Sequence, residues 1–577
     1  MFWYDAVTPA AQSVLAAVYD GPYDFLNFNN QSVILEKVPA LSDGDVRLEP
    51  SPVQPGEWVA GAQGDVVVLA EGVSYRPAGC AAPECARLYS GTGPVDMDQL
   101  VVQFHLKPGL TWSDGSALTA GDSLYSYEVA AALQPEAWRE LLQVTAAYLA
   151  LDERSVEWRG LPGYLAGDYA RLFYVPLPRH AWGSLSPSEV RSVAGRAPLG
   201  WGPYQLETWT AGVQIVLRKN PAYFRAGEGL PNFDRLVFRL VEDSAAALQG
   251  LRNRECDLVD PSAVAEAQLP QLLELQAAGE VQLMPQLPTA WEQITLGMVS
   301  YSRPAVEVFA QAQVRQAAVL CIDRQAITRL VLGGLAQEAH TFLPPGHPDS
   351  LASSEAAVYD PHAGGQRLSA AGWLDLDGDP ATPRTAESVA GIPDGDPLAV
   401  QYLVSPDSER QAVAQAVQEG LEACGFGVEI VTRPFGEYLA PGPAGLVFGR
   451  QFDMAQFAWP SALQDLCRLY LSSEIPGPYP EFPKGWGGGN ASGYNNPAFD
   501  QACQAALTSL PDSPERSLAL RQAQELLLQD APVIPLYWRF TLALAHPGVC
   551  GLAPQVHTPN PFWNIEAFDM GEACGGS

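Results

Sequence analysis

Apolar and polar positions alternate along residues 99–106, QLVVQFHL. Val102, Phe104 and Leu106 are separated by Gln103 and His105, the period-2 sign of a strand with one buried face. Lys107-Pro108-Gly109 breaks that strand, and Ser113-Asp114-Gly115 supplies a second tight turn. Thr119 then reads as an N-cap with Asp122 three residues on, a capping-box spacing, and Leu124, Tyr127 and Ala131 give the helix that follows its buried stripe. Upstream, residues 11–26 predict a short helix that ends at Gly21-Pro22. From Pro39 to Gly93 the chain is irregular, and VVVLAEGVSYRPAG within it predicts a small strand pair. Further strands are expected in VEWRGL, GVQIVLRK, LPNFDRLVFRLVED and WEQITLGM, and from Phe452 to Phe457. LAVQYLV, a helix from Ser408 to Ala423 stopped by Gly425, and GVEIVT form a strand-helix-strand unit with parallel pairing.

Composition narrows the class. A chain of 577 residues exceeds one hydrophobic core, so two or three domains are expected. A net charge of −32 disfavours nucleic acid as a partner and adhesion to anionic lipid. No run approaches the roughly 18 apolar residues that would span a bilayer, and the N-terminus MFWYDAVTPAAQ has neither the charged nor the long apolar region of a signal peptide. Nine cysteines leave at least one unpaired. Cys80 and Cys85 flank a loop short enough for a local disulfide, and Cys467 with Cys503 and Cys550 with Cys574 are placed to staple neighbouring segments in an oxidising compartment. Cys321 sits in an apolar helical pattern and reads as a small buried hydrophobe. Asp375, Asp377 and Asp379 alternate as the start of a calcium loop does, although Pro380 stands where glycine is required and Ala386 at position twelve; the alternative is a solvated Asp-rich turn. Sequence signatures of hydrolases, zinc proteases, nucleotide-binding loops and dinucleotide folds are missing.

The order of residues carries more. A strand, Pro-Gly, then Trp112-Ser113-Asp114-Gly115, Leu118-Thr119-Ala120-x-Asp122-Ser123 and Tyr125-Ser126 resembles the large extracytoplasmic solute-binding proteins of ABC importers, the oligopeptide- and dipeptide-binding type. The chain departs from that pattern at Ala117, where proline is usual, and at Ser123, where valine is usual. The likeness continues through Gly200 to Leu206, Asn220-Pro221-x-Tyr223-Phe224, and a helical segment with Val314, Arg315, Ala317, Ile322, Asp323, Arg324 and Ile327. It resumes at Gly493-Tyr494-Asn495-Asn496-Pro497 and covers the chain from Tyr19 to Phe568. Gly202 and Pro203 read as a backbone conformation that needs both residues. Arg315 and Asp323, two turns apart on one helical face, are expected to organise that helix rather than touch solute.

The resemblance implies an α/β, periplasmic-binding-protein-like fold of type II in its three-lobed variant, with two main lobes hinged around a ligand cleft. Its lobes are expected at 1–45, 170–285 and 541–577 (lobe I), 46–169 (lobe II) and 286–540 (lobe III). It implies capture of peptides for an ABC permease and ATPase by a monomeric, extracytoplasmic protein without catalysis. Oligosaccharide is the second ligand reading, since 14 tryptophans offer stacking surfaces; a secreted glycosidase is a more distant one. Relatives begin with a signal and a first strand, so the resemblance predicts both upstream of Met1; the alternative is a cytoplasmic protein complete at Met1. Trp459 stands where the family has its cleft tryptophan, with Ala458 beside it. The family's aspartate three residues on, which anchors a peptide's α-amino group, is replaced by Ala462, with Asp465 the next acid. Tyr19, Asp20, Trp201 and Trp291 are further cleft candidates, each with packing as the alternative. No cofactor is expected apart from the calcium considered above.

Overall fold

A computed structural model describes residues 2–5, 8–80, 85–301, 307–351, 358–379, 382–460, 466–553, 558, 560–571 and 574. Its first element, α1 (Pro9–Tyr19), is capped by the Thr8 side chain and stops at Asp20, which takes the left-handed conformation. A hairpin follows, β1 (Tyr23–Leu26) with β2 (Asn29–Ser32). The alternating stretch around Phe104 lies in β4 (Val95–His105), which pairs with β3 (Val46–Val53). After α2 (Ala120–Leu133) come β5 (Thr145–Ala150) and β6 (Ser155–Gly160), completing an antiparallel sheet in the order β3-β4-β6-β5. Next, β7 (Tyr204–Thr210), β8 (Gln214–Lys219) and β9 (Arg235–Arg239) form a three-stranded meander.

The third large sheet gathers β10 (Leu258–Val259), β11 (Gln282–Leu296), β12 (Gln337–Glu338), β13 (Ala399–Val404), β14 (Gly427–Thr432), β15 (Met454–Pro460) and β16 (Val533–Ala545). Its order is β10-β16-β11-β15-β13-β14, with β12 also on β16. The helices α3 (Ala312–Leu320) and α4 (Ser408–Ala423) and the antiparallel pair α5 (Pro497–Leu507) and α6 (Pro514–Asp530) accompany it. β13 runs parallel to β14 through α4, as the strand-helix-strand pattern required. One hydrophobic cluster runs from Phe2 through the β4 and β6 core to Leu217 and on to Phe568, so the first two sheets share an interior. Separate clusters fill the two faces of the large sheet.

Several expectations need correction. The buried face of α2 is Asp122, Ser123, Tyr125, Ser126, Val129 and Ala130, while Leu124, Tyr127 and Ala131 are only half-buried. Polar residues enter the core here because each is satisfied. Asp122 accepts from the Thr119 amide (2.8 Å) and the Arg179 amide (3.0 Å), and Ser123 bonds the Tyr148 hydroxyl (2.7 Å). Arg315 and Asp323 are not on one helix. α3 ends at Leu320, Asp323 caps a new turn by accepting from the Ala326 amide, and Arg315 instead ties the carbonyls of Phe309, Ala310 and Asp530. Gly200 and Gly202 are required by close approach, because a Cβ at either would lie 2.0 or 2.7 Å from the Val18 backbone. Trp459 lies within β15 rather than after it. Cys321 is no free hydrophobe: it is bonded to Cys424, alongside Cys80–Cys85, Cys467–Cys503 and Cys550–Cys574, and Cys256 is the free thiol.

Asp122→Ala strips four donors of their acceptor, since the Thr119 hydroxyl (3.3 Å) and the Trp112 indole N–H (3.4 Å) also reach the carboxylate. The expected loss is about 2–4 kcal/mol, read as a lower denaturant midpoint with an unchanged slope.

Candidate functional site

Two strands carry the chain between the first body and the large-sheet body. β11 and β16 pair from Gln282↔Ala545 to Thr295↔Val533, with a register break between Gln286 and Ala290. Before the break they pack Leu283, Leu542 and Leu544 beside β10, which pairs with β16; after it β11 pairs with β15. A second, smaller shift lies between Glu292 and Gln293; the first leaves more residues unpaired on β11 than on β16, and a ladder loosened there bends at lower cost.

Just past the break lies a buried ion network. Glu292 on β11 is fully buried and accepts from Arg410 Nε (2.7 Å) and Nη2 (2.9 Å), Arg539 Nη1 (2.9 Å) and Gln456 Nε2 (3.0 Å). Burial alone would push its carboxyl up, but the two guanidinium groups reverse this and hold it below the ordinary carboxylate range. Arg539 also pairs with Glu409 (2.9 Å) and with Glu266 of the first body (2.7 Å).

On the opposite face of the sheet, the register sets three tryptophans abreast: Trp459 on β15 faces Trp291 on β11, which faces Trp538 on β16. Trp291 and Trp538 are stacked at 6.2 Å and fully buried, and Trp291 meets Tyr470 edge-on at 5.8 Å. Trp459 is half-buried, packed against Phe457 (5.6 Å) and Phe448 (6.2 Å), and Ala458 is half-buried on the Glu292 side. Trp459 and Ala458 thus stand at the end of β15 nearest the register break. Trp291 is a packing residue in this structure. So are Tyr19 and Trp201, whose rings meet at 5.3 Å, with Trp201 also edge-on to Trp112 at 5.5 Å. Ala462 and Asp465 lie outside the described residues. Trp538 and Phe448 escaped the sequence reading; the apolar run VIPLYW marks the buried strand that carries the first, while nothing local marks the second.

Asp20 lies in a buried acid cluster. Its carboxylate accepts from the Tyr223 hydroxyl (2.7 Å), and Glu566 nearby accepts from Arg225 (2.6 Å) while its Oε2 is buried without a partner. Burial, then the charge of Glu566, drives the Asp20 carboxyl well above its ordinary range, and the same two causes raise Asp24 to about 7. Asp375, Asp377 and Asp379 form a turn in which Asp375 accepts from the Gly378 amide and Asp377 from the Asp379 amide and the Thr382 hydroxyl. Among the described residues no three acid, His or Cys side chains gather as a metal cage.

The two bodies touch around the strand pair. The loop between α5 and α6 reaches the first body. There Arg76 Nη1 donates to the Thr508 carbonyl (2.7 Å), and Leu510 is buried in the first cluster. Asp512 accepts from Tyr169 Oη (2.9 Å) and the Leu41 amide (3.2 Å). Phe28 at the β1–β2 turn meets the His347 ring at 5.6 Å. The bodies are therefore closed on each other.

Residues 88–471 match the model of the bacterial extracellular solute-binding proteins, family 5. The chain belongs to that family. Among its relatives, the dipeptide-binding protein of Pseudomonas aeruginosa is 26% identical over 372 residues, which is 64% of this chain and 61% of that protein. The oligopeptide-binding protein AppA of Bacillus subtilis is 24% identical over 76% of this chain and 75% of its own. The crystal structure of the ABC transporter substrate binding protein CtaP from Listeria monocytogenes superposes with a TM-score of 0.65, at 17% identity, covering 99% of this chain and 96% of that one. The family 5 fold is thereby established as the periplasmic-binding-protein-like α/β architecture.

Two outcomes follow for this family 5 chain. Leu510→Asp sets a charge against the first cluster and disfavours closure by about 2 kcal/mol, a factor of roughly 30; small-angle scattering is expected to show a larger radius of gyration. Asp24 shares its cluster with Asp20, Glu566, Arg225, Tyr223 and Glu228. With its carboxyl raised from 3.8 to about 7, the folded chain keeps a proton that the unfolded chain releases, so this group's contribution to stability falls as pH rises through that window. The Asp24→Asn variant, which carries no charge to bury, is expected to melt higher than wild type at pH 8 and level with it near pH 4.

Proposed function

We propose that this chain captures peptides outside the cytoplasm and hands them to the permease and ATPase of an ABC importer, acting as a monomer without catalysis. The observation that carries the reading is the register break in the two crossing strands, placed directly beside Trp459. A hinge there opens and shuts the two bodies over the half-buried indole, which is how a binding protein reports occupancy. The relatives named for dipeptides and oligopeptides support the choice of solute. Four disulfides support an oxidising, extracytoplasmic setting. The oligosaccharide reading loses part of its support, because six of the 14 tryptophans, Trp112, Trp158, Trp201, Trp291, Trp373 and Trp538, are fully buried and offer no stacking platform.

The test joins two measurements. Native mass spectrometry of the purified protein is expected to show co-purifying peptides, and incubation with peptides or oligosaccharides is expected to yield no cleavage products. Trp459→Ala is expected to weaken peptide binding by about 1–3 kcal/mol, 5- to 150-fold, in calorimetric titration. Retention of an oligosaccharide instead of peptides, or accumulation of products, would sink the reading.

A further inference from the structure

The β1–β2 hairpin carries an acid at its root and a closure contact at its tip. At the root, Asp24 lies with Asp20, which ends α1, with Glu566 of the C-terminal tail and with Arg225. Three carboxyls thus share one guanidinium, and Arg225 divides its bonds between Glu566 (2.6 Å) and Glu228 (3.1 Å). Tyr223 donates to Asp20 (2.7 Å), and Glu566 Oε2 is buried with no partner. Three carboxylates cannot all ionise here without repelling one another, whereas a protonated carboxyl carries no charge and offers an O–H donor.

At the tip, Asn27 and Phe28 form the turn between Leu26 and Asn29, both with left-handed φ (50° and 66°). This two-residue turn matches the twist of its strands, and a hairpin so closed moves as one stiff piece. Phe28 meets the His347 ring of the large-sheet body at 5.6 Å, and a Cβ on Gly346 would stand 3.4 Å from the Phe28 ring. Elsewhere the hairpin is held by Asn30 Nδ2 on Asp168 (3.0 Å) and, just past β2, by Lys107 Nζ on the Val33 carbonyl (2.5 Å). Its own burial is slight, with Phe25, Asn27 and Asn29 exposed, so its seating depends on the root.

We propose that this acid cluster is a pH-operated seat for the hairpin: protonated, it seats the hairpin so that Phe28 braces the closed bodies; ionised, it lifts the hairpin and withdraws the brace. The device goes beyond solute capture and does not depend on which solute is held. Burial, then the charge of Glu566, keeps the Asp24 carboxyl up at about 7 and the Asp20 carboxyl well above its ordinary range, and burial raises Glu566 too. The seated hairpin therefore keeps protons that an unseated one gives up, so the brace is complete below that range and lost as pH rises through it. Tyr23, which faces Asp168, and Tyr204 and Tyr223, which face Glu566, are raised by burial and stay neutral. At the tip, burial lowers the His347 imidazole, which lies near Asp349 and Arg516, so that ring is uncharged where the cluster titrates.

The experiment follows amide hydrogen exchange, corrected for the intrinsic rate, and small-angle scattering in steps from pH 5 to pH 8.5 without solute. It uses wild type, Asp24→Asn, Glu566→Gln and Phe28→Ala. In wild type, loss of one proton from Asp24 predicts about a tenfold fall in protection of the hairpin amides between pH 6 and pH 8.5. The radius of gyration is expected to grow over the same range while α4 keeps its protection. Asp24→Asn is expected to hold its protection and its radius throughout. Glu566→Gln removes a charge that raises Asp24 and is expected to shift the loss to lower pH. Phe28→Ala is expected to show the larger radius at every pH while its hairpin still responds. Constant wild-type protection, a wild-type response in Asp24→Asn, or an unmoved midpoint in Glu566→Gln overturns the inference. So does a hairpin that loosens with no change in radius, or a Phe28→Ala variant that stays as compact as wild type at pH 6. A fall shared equally by α4 marks global destabilisation and overturns it as well. None of these outcomes bears on peptide capture, which the co-purifying ligand decides.

Discussion

Glu292 is the charge on which the architecture depends. It is buried among residues of both crossing strands and of α4, and only Arg410, Arg539 and Gln456 make its ionisation tolerable there. A buried carboxylate that loses one such partner is left uncompensated at a cost of about 3–5 kcal/mol. The network therefore pins β11, β16 and α4 together on the large-sheet side of the register break. Bending is then favoured between Gln286 and Ala290, because the second register shift, at Glu292 and Gln293, lies inside the ion network, while Leu283, Leu542 and Leu544 pack the other side. A single arginine, Arg539, extends the network across the break to Glu266, so the hinge has an electrostatic strap on the face opposite the tryptophan row.

The first two sheets do not behave as independent lobes. Their interiors form one cluster, into which Leu510 of the other body is pressed. The sequence boundaries at 45/46 and 169/170 cut through this shared core, where composition changes little. Around it, closure among the described residues rests on a few directed contacts: one arginine and one glutamine each on a carbonyl, one aspartate on a tyrosine and an amide, and one ring pair. Such contacts hold a geometry without the large apolar area that would make closure permanent.

Local physics made much of this legible. The alternation around Phe104, the Thr119–Asp122 cap and the parallel unit around α4 were readable because propensity, capping and period agree there. The α2 stripe was misread because Asp122, Ser123 and Ser126 are polar residues that the core accepts through bonds with partners more than 20 residues away or on the helix itself. Cys321 was misread for a related reason: its partner stands 103 residues on, beyond any local pattern. Of the candidate site, Trp459 was reachable only through the family resemblance. Phe448 lies in an irregular segment, and neither period nor spacing marks a residue whose meaning comes from the rings around it.

The pairing of Cys321 with Cys424 also bears on how the molecule is made. A chain that emerges from its N-terminus presents Cys80 and Cys85 first, which pair with each other, then Cys256 and Cys321, and Cys424 only after a further hundred residues. During that interval Cys321 has one thiol to find in its neighbourhood, and it is the wrong one. Burial and the adjacent Asp257 raise the Cys256 thiol, which lowers its thiolate fraction and slows its attack on a disulfide. That protection exists only once the α-helix before Cys256 has folded around it. Correct oxidation of the second half of the chain thus depends on the first half having folded, which makes the order of biogenesis part of what the sequence specifies.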